Sequence, residues 1–228
     1  MSAPIAHIVL ALLMLPKHFP DKDVKEFIIG TSFPDIRYLG SIEREKTHYK
    51  NITLDMIKKA KSSFEAGMLF HSLVDETRKK YMLQNRVYEI IPNTKNSIRC
   101  LKFFEDILVY DQIQNWDQIA DYFDTILFEE TLFGIPEHDI KKWHQLIQLY
   151  CKKRICPQNG LSLYLIFTYT KIPKIIINCF AYTAVKLRIL PDKFTKVIQT
   201  IDQFTKDKRL KYIILNFYNN FEDIIKNY

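Results

Sequence analysis

Glycine is scarce, with 5 in 228 residues, too few for a turn-dense β protein. Neither a dinucleotide-binding glycine fingerprint nor a P-loop occurs, which removes the usual phosphate cradles of nucleotide enzymes. The cysteines, Cys100, Cys151, Cys156 and Cys179, contain no C-x-x-C pair, and the "CKKRIC" spacing suits neither a zinc knuckle nor a redox couple. They read as free or buried thiols in a reducing compartment. The opening "MSAPIAHIVLALLMLP" is apolar but lacks a basic start and is interrupted by His7, so no cleavable signal is expected. The other long apolar run, "LSLYLIFTYTKIPKIIINCFAYTAV", carries Lys171, Pro173 and Lys174. Two ammonium groups in lipid are costly, so the run is expected to be a buried helix with a break, not a transmembrane segment. A cytoplasmic protein, or one exported without a cleavable signal peptide, is the expectation.

What is present is apolar and basic. Apolar residues make up 47% and aromatics 14% of the chain, enough for a sizeable core and too much for disorder. The formal net charge of +7 suits anionic partners such as phosphoesters, nucleic acid or an acidic lipid surface, although lysine-rich usage alone produces the same balance. Helical spacing predicts helices over residues 3–15, with Ser2 as N-cap and Pro4 in the first turn, and over 23–29, ended by Gly30. An irregular stretch to about Thr53 follows, then a helix over 54–84 in one piece or two. Further helices are expected over 95–111, 116–128, 136–153, 162–187, 192–204 and 208–225. With no repeat and no dividing linker, the expectation is an all-α chain, one multi-helix bundle spanning residues 1–228.

The chemistry concentrates in the first 85 residues. In "FEAGMLFHSLVDETRKKY", His71 and Asp75 stand four apart, so both project from one helix face and can chelate a single divalent ion. Taken alone, such a pair is more often a helix-surface ion pair or hydrogen bond. The stretch "FPDIRYLGSIEREKTH" adds Asp35, after Pro34, and His48, thirteen residues later; His7 lies upstream in the first helix. Histidines with one or two carboxylates suit zinc with a position left to water. "EHDIKKWH" at 137–144 offers an adjacent His–Asp pair, too isolated to carry an HD-type phosphohydrolase.

In order and context these motifs resemble the zinc-dependent phospholipase C and single-strand nuclease family. The matching segments are "AHIVLAL" at 6–12, "GTSFPDIRY" at 30–38, "THYKN" at 47–51 and "GMLFHSLVDE" at 67–76. The resemblance implies a phospholipase C-like fold. It also implies a zinc held by Asp35, His48, His71 and Asp75, with Asp75 bridging to a second zinc held by His7 and the amine of Ser2 once Met1 is removed. The family's third metal needs a later His and an H-x-x-x-E; both are missing, so that site is expected to be absent or rebuilt. Arg78, Lys79 and Arg37 are candidate substrate-binding cations that neutralise a phosphate oxygen in its place, and Glu105 or Asp106 a substitute carboxylate. The "RKK" run reads more readily as a solvated helix face.

The expected function is a zinc-dependent phosphodiester hydrolase, with Asp35 orienting or deprotonating the attacking water. The substrate would be a phospholipid headgroup at a membrane surface or another phosphoester, with nucleic acid the lesser candidate. The competing expectation is a non-catalytic binding or effector protein that keeps the fold and a degenerate or structural metal site.

Overall fold

The computed structural model describes residues 4–94, 96–152 and 192–227. Among them there is no strand, and the all-α, multi-helix architecture expected from the sequence is what is observed. The helices are α1 (Pro4–His18), α2 (Val24–Ser32), α3 (Leu54–Lys58), α4 (Ser63–Gln84), α5 (Val87–Ile90), α6 (Ser97–Val109), α7 (Trp116–Asp121), α8 (Phe128–Thr131), α9 (Glu137–Lys152), α10 (Asp192–Lys206), α11 (Lys208–Asn219) and α12 (Phe221–Lys226). The helix expected over 162–187, the broken apolar run within it, Ser2, Cys156 and Cys179 lie outside the described residues. No described helix is long and apolar enough to cross a membrane.

α1 is apolar on nearly every side and is accordingly buried along most of its length. Its first turn is capped from another helix: the Ala6 N–H donates to Asp106 Oδ1 of α6 at 2.8 Å. The helix runs on past the expected stop through Pro16 to His18. α2 begins one residue later than expected, because Asp23 is its N-cap and accepts from the Glu26 N–H at 2.9 Å.

Gly30 does not end α2, which continues to Ser32. Its role is contact. A Cβ at Gly30 would lie 2.1 Å from the Phe64 carbonyl oxygen of α4, and one at Gly67 would lie 2.2 Å from the Phe27 carbonyl oxygen of α2. The two glycines let α2 and α4 pack backbone to backbone. Capping adds to this register. Ser62 accepts from the Glu65 N–H at 3.1 Å to start α4, and the Asp23 N–H donates to Ser63 Oγ at 2.9 Å.

The expected 54–84 helix is two pieces, broken between Lys58 and Ser63. The irregular stretch before it contains two 3₁₀ turns, Phe33–Leu39 and Arg44–Lys46. The expected 116–128 helix is only α7 plus a 3₁₀ turn at Tyr122–Asp124, with an extended segment before α8. The buried apolar side chains form one contiguous cluster reaching from α1 to α12.

Candidate metal centre

α4 carries His71 and Asp75 on a face that is buried, so two polar side chains enter an apolar interior and need partners there. The α2–α4 contact supplies the first. His71 Nδ1 faces the Thr31 carbonyl of α2 at 2.9 Å, and since a carbonyl only accepts, that nitrogen carries the proton. Nε2, the ring nitrogen left for a ligand, points the other way.

His48 arrives from a loop stitched along α4. The Tyr49 N–H donates to Ser72 Oγ at 3.1 Å and the Asn51 N–H to Glu76 Oε2 at 3.1 Å. Asn51 takes a left-handed φ of 57°, a conformation asparagine tolerates. Thr47 directs its hydroxyl proton at the carbonyls of Pro34 (3.3 Å) and Arg44 (3.4 Å), leaving a lone pair to accept from His48 Nδ1 at 3.0 Å. His48 Nε2 is then also a lone pair, and it stands 3.3 Å from His71 Nε2. Two donors bound at about 2.0–2.1 Å to one tetrahedral ion are separated by about 3.3–3.4 Å.

The remaining side chains close round this pair. Asp75 Oδ2 lies 3.8 Å from both Nε2 atoms, and Asp75 Oδ1 lies 3.3 Å from His7 Nε2. The His7 ring stacks on His71 with centroids 4.0 Å apart. Asp35, set by Pro34 at the start of its 3₁₀ turn, contributes an oxygen within 4.8 Å of the His48 and His71 nitrogens. Its Oδ1 is buried without a hydrogen-bond partner among the described residues, as is His7 Nδ1. None of the five residues is more than 8% exposed. They form two overlapping groups that can hold a metal ion, His7–His71–Asp75 and Asp35–His48–His71. His71 would serve only one ion through its Nε2, and Asp75, which turns one oxygen to each group, is the residue the two groups could share.

The electrostatics fit such a role. Burial, reinforced by the neighbouring His71, lowers the pKa of His7 to about 3 and that of His48 to about 3, so both are neutral and able to ligate near neutral pH. Burial opposes the charge of Asp75, yet nearby positive charge and the His7 contact hold its carboxyl well below the usual range.

The candidate cations have different fates. Arg37 sits at the rim, its Nε 3.8 Å from Asp35 Oδ1. Lys79 is exposed on α4. Arg78 is neither a solvated residue nor a phosphate ligand in waiting. At 1% exposure it is interior, and its guanidinium is gripped by both oxygens of Glu105, whose Oε2 also accepts from Tyr218 Oη at 2.7 Å. A buried guanidinium needs a carboxylate, and Glu105 is committed to it. Asp106 caps α1, so neither acid joins the metal cluster. His138 is exposed, while buried His144 bonds to Glu130 Oε1 at 2.8 Å and to the Phe123 carbonyl at 3.1 Å.

Sequence reasoning missed Arg44, whose Nη2 lies 3.8 Å from Asp75 Oδ2, and Lys102 of α6, which bonds to Tyr38 Oη at 3.1 Å. Arg44 could have been found from its place just before "THYKN"; Lys102 has no local signal, being brought in by α6. No family model matches the chain, and no curated protein or solved structure matches it.

Proposed function

We propose that the chain is a zinc-dependent phosphodiester hydrolase of phospholipase C-like type, acting on a phospholipid headgroup or another phosphoester. The observation that carries this is the 3.3 Å approach of two imidazole Nε2 lone pairs, His48 and His71, with Asp75 Oδ2 3.8 Å from each. Two imidazole nitrogens this close in a buried site share either a proton or a metal ion, and the Asp35 and Asp75 oxygens gathered round them favour the metal.

Asp35, His48, His71 and Asp75 would hold one ion, and His7 with the second Asp75 oxygen another. A zinc ion bound there supplies Lewis acidity, lowering the pKa of a water and polarising a phosphoryl oxygen. The protein's own groups do the rest. Thr31 and Thr47 lock the imidazoles in the ligating tautomer. Asp35 Oδ1 is an acceptor for a proton from the attacking water. Arg37 and Arg44 offset the carboxylate charge at the rim and attract an anionic ester.

The second reading, a non-catalytic binding protein with a structural metal, draws on the burial of all five side chains. Metal analysis of untagged protein purified without chelator, followed by assay on a generic phosphodiester and on phosphatidylcholine micelles, separates the two. The hydrolase reading expects one or two zinc ions per chain and turnover, both lost in His71→Ala and Asp75→Ala. Bound zinc without turnover leaves the structural reading, and metal content unchanged in both variants removes the site.

A further inference from the structure

One cation beside the cluster lacks the counterion that a half-buried charge ordinarily has. Lys102 is half-buried on α6, and burial lowers the pKa of its ammonium from the ordinary value. Among the described residues no carboxylate stands within ion-pair distance of its Nζ, whose hydrogen bond goes to Tyr38 Oη at 3.1 Å. Arg37 Nη2 donates to the same oxygen at 3.0 Å. Two positive groups thus converge on one neutral phenol, and both rest against its ring, Arg37 at 4.3 Å and Lys102 at 5.6 Å from the centroid. Tyr38 is 39% exposed, while the Arg37 side chain is 15% exposed and its Nε reaches inward to Asp35 Oδ1 at 3.8 Å.

Among the described residues, Arg37, Arg44 and Lys102 gather beside the cluster carboxylates Asp35 and Asp75. A bound divalent ion would add positive charge to this group. Like charges gathered at the mouth of a buried site are stabilised by an anion that accepts from both, and a tetrahedral oxyanion has oxygens enough to do so. A planar guanidinium and a point-like ammonium, held apart by a phenol, offer donors to two oxygens of one phosphoryl group.

We propose that Lys102 and Arg37, spaced by Tyr38, form an oxyanion subsite beside the metal cluster that binds the phosphoryl group of the substrate. The subsite rests on the hydrolase reading for its ligand being a phosphoester, while anion binding is measurable by itself. Lys102 neutralises a non-bridging oxygen, and Arg37 holds a second oxygen over Asp35.

The test is calorimetric titration of inorganic phosphate into the full chain, zinc-loaded and zinc-stripped, for wild type, Lys102→Met, Lys102→Arg and Tyr38→Phe. Losing a charge-assisted bond should weaken phosphate binding about tenfold to a hundredfold in Lys102→Met, and far less in Lys102→Arg. Zinc content and melting temperature should stay unchanged in both. A parallel arm with phosphatidylcholine vesicles separates a lipid headgroup from a soluble ester, and dependence on Lys102 in either arm supports the subsite. A folded Lys102→Met protein that binds phosphate as wild type does overturns it. If no zinc is taken up but Lys102→Met still weakens phosphate binding, the subsite stands and the hydrolase reading falls.

Discussion

Acidification distinguishes a buried neutral imidazole from a surface one, and His7 is the clearest case. It is 1% exposed, and burial together with the stacked His71 takes its pKa from an ordinary value of 6.5 to about 3. Once unfolded, His7 takes up a proton below about pH 6.5, whereas the native form does so only near pH 3. Between those limits the unfolded state binds more protons, so stability is fully present above about pH 6.5 and drains away as pH falls towards 3. At about pH 5 the loss from this residue is roughly 2 kcal/mol, rising to roughly 4 kcal/mol near pH 3. The assay is urea unfolding of zinc-stripped protein at a series of pH values, for wild type and His7→Gln. Wild type should lose about 2 kcal/mol more than the variant on going from neutrality to about pH 5. Parallel profiles would mean that His7 is not held neutral in the native state, and the electrostatic reasoning for the cluster would fail with it.

Two other perturbations test what holds the centre in place. Arg78→Met leaves Glu105, which is 0% exposed, without its countercharge, and should cost about 3–5 kcal/mol in urea unfolding. Adding Glu105→Leu should recover much of that loss; no recovery would show that the pair acts through packing alone. Gly67→Ala forces a Cβ to within 2.2 Å of the Phe27 carbonyl oxygen, on a helix backbone that cannot step aside. About 3 kcal/mol of destabilisation is expected. Zinc affinity should drop as well, because separating α2 from α4 draws the Thr31 carbonyl away from His71 Nδ1, and a normal melting temperature with normal metal content would refute this.

Several elements were legible in the sequence because their signals are local. Thr53 closes the irregular stretch where expected and caps α3, and α6, α9 and α11 have the apolar spacing of helices with one buried face. Errors arose where a local rule met a contact from elsewhere in the chain. Gly30 reads as a helix stop, but its missing side chain is used for packing against Phe64. "RKK" reads as a solvated face, yet Arg78 follows His71 and Asp75 at helical spacing and shares their burial, which Glu105 makes tolerable from another helix.

By itself, then, the sequence determined the helical class and the His71–Asp75 pair, since periodicity, capping and i, i+4 spacing act within a turn or two of backbone. Motif order, through the resemblance it carries, had named His7, Asp35 and His48 as partners of that pair; tertiary structure brings the five together, and it alone decided that Thr31 meets His71 Nδ1 and that Lys102 and Arg44 stand at the edge. Those contacts join positions as far apart as Tyr38 and Lys102, 64 residues, and depend on how closely helix backbones can approach. That distance is set where Gly30 meets Phe64 and Gly67 meets Phe27, through space, and no spacing along the chain encodes it.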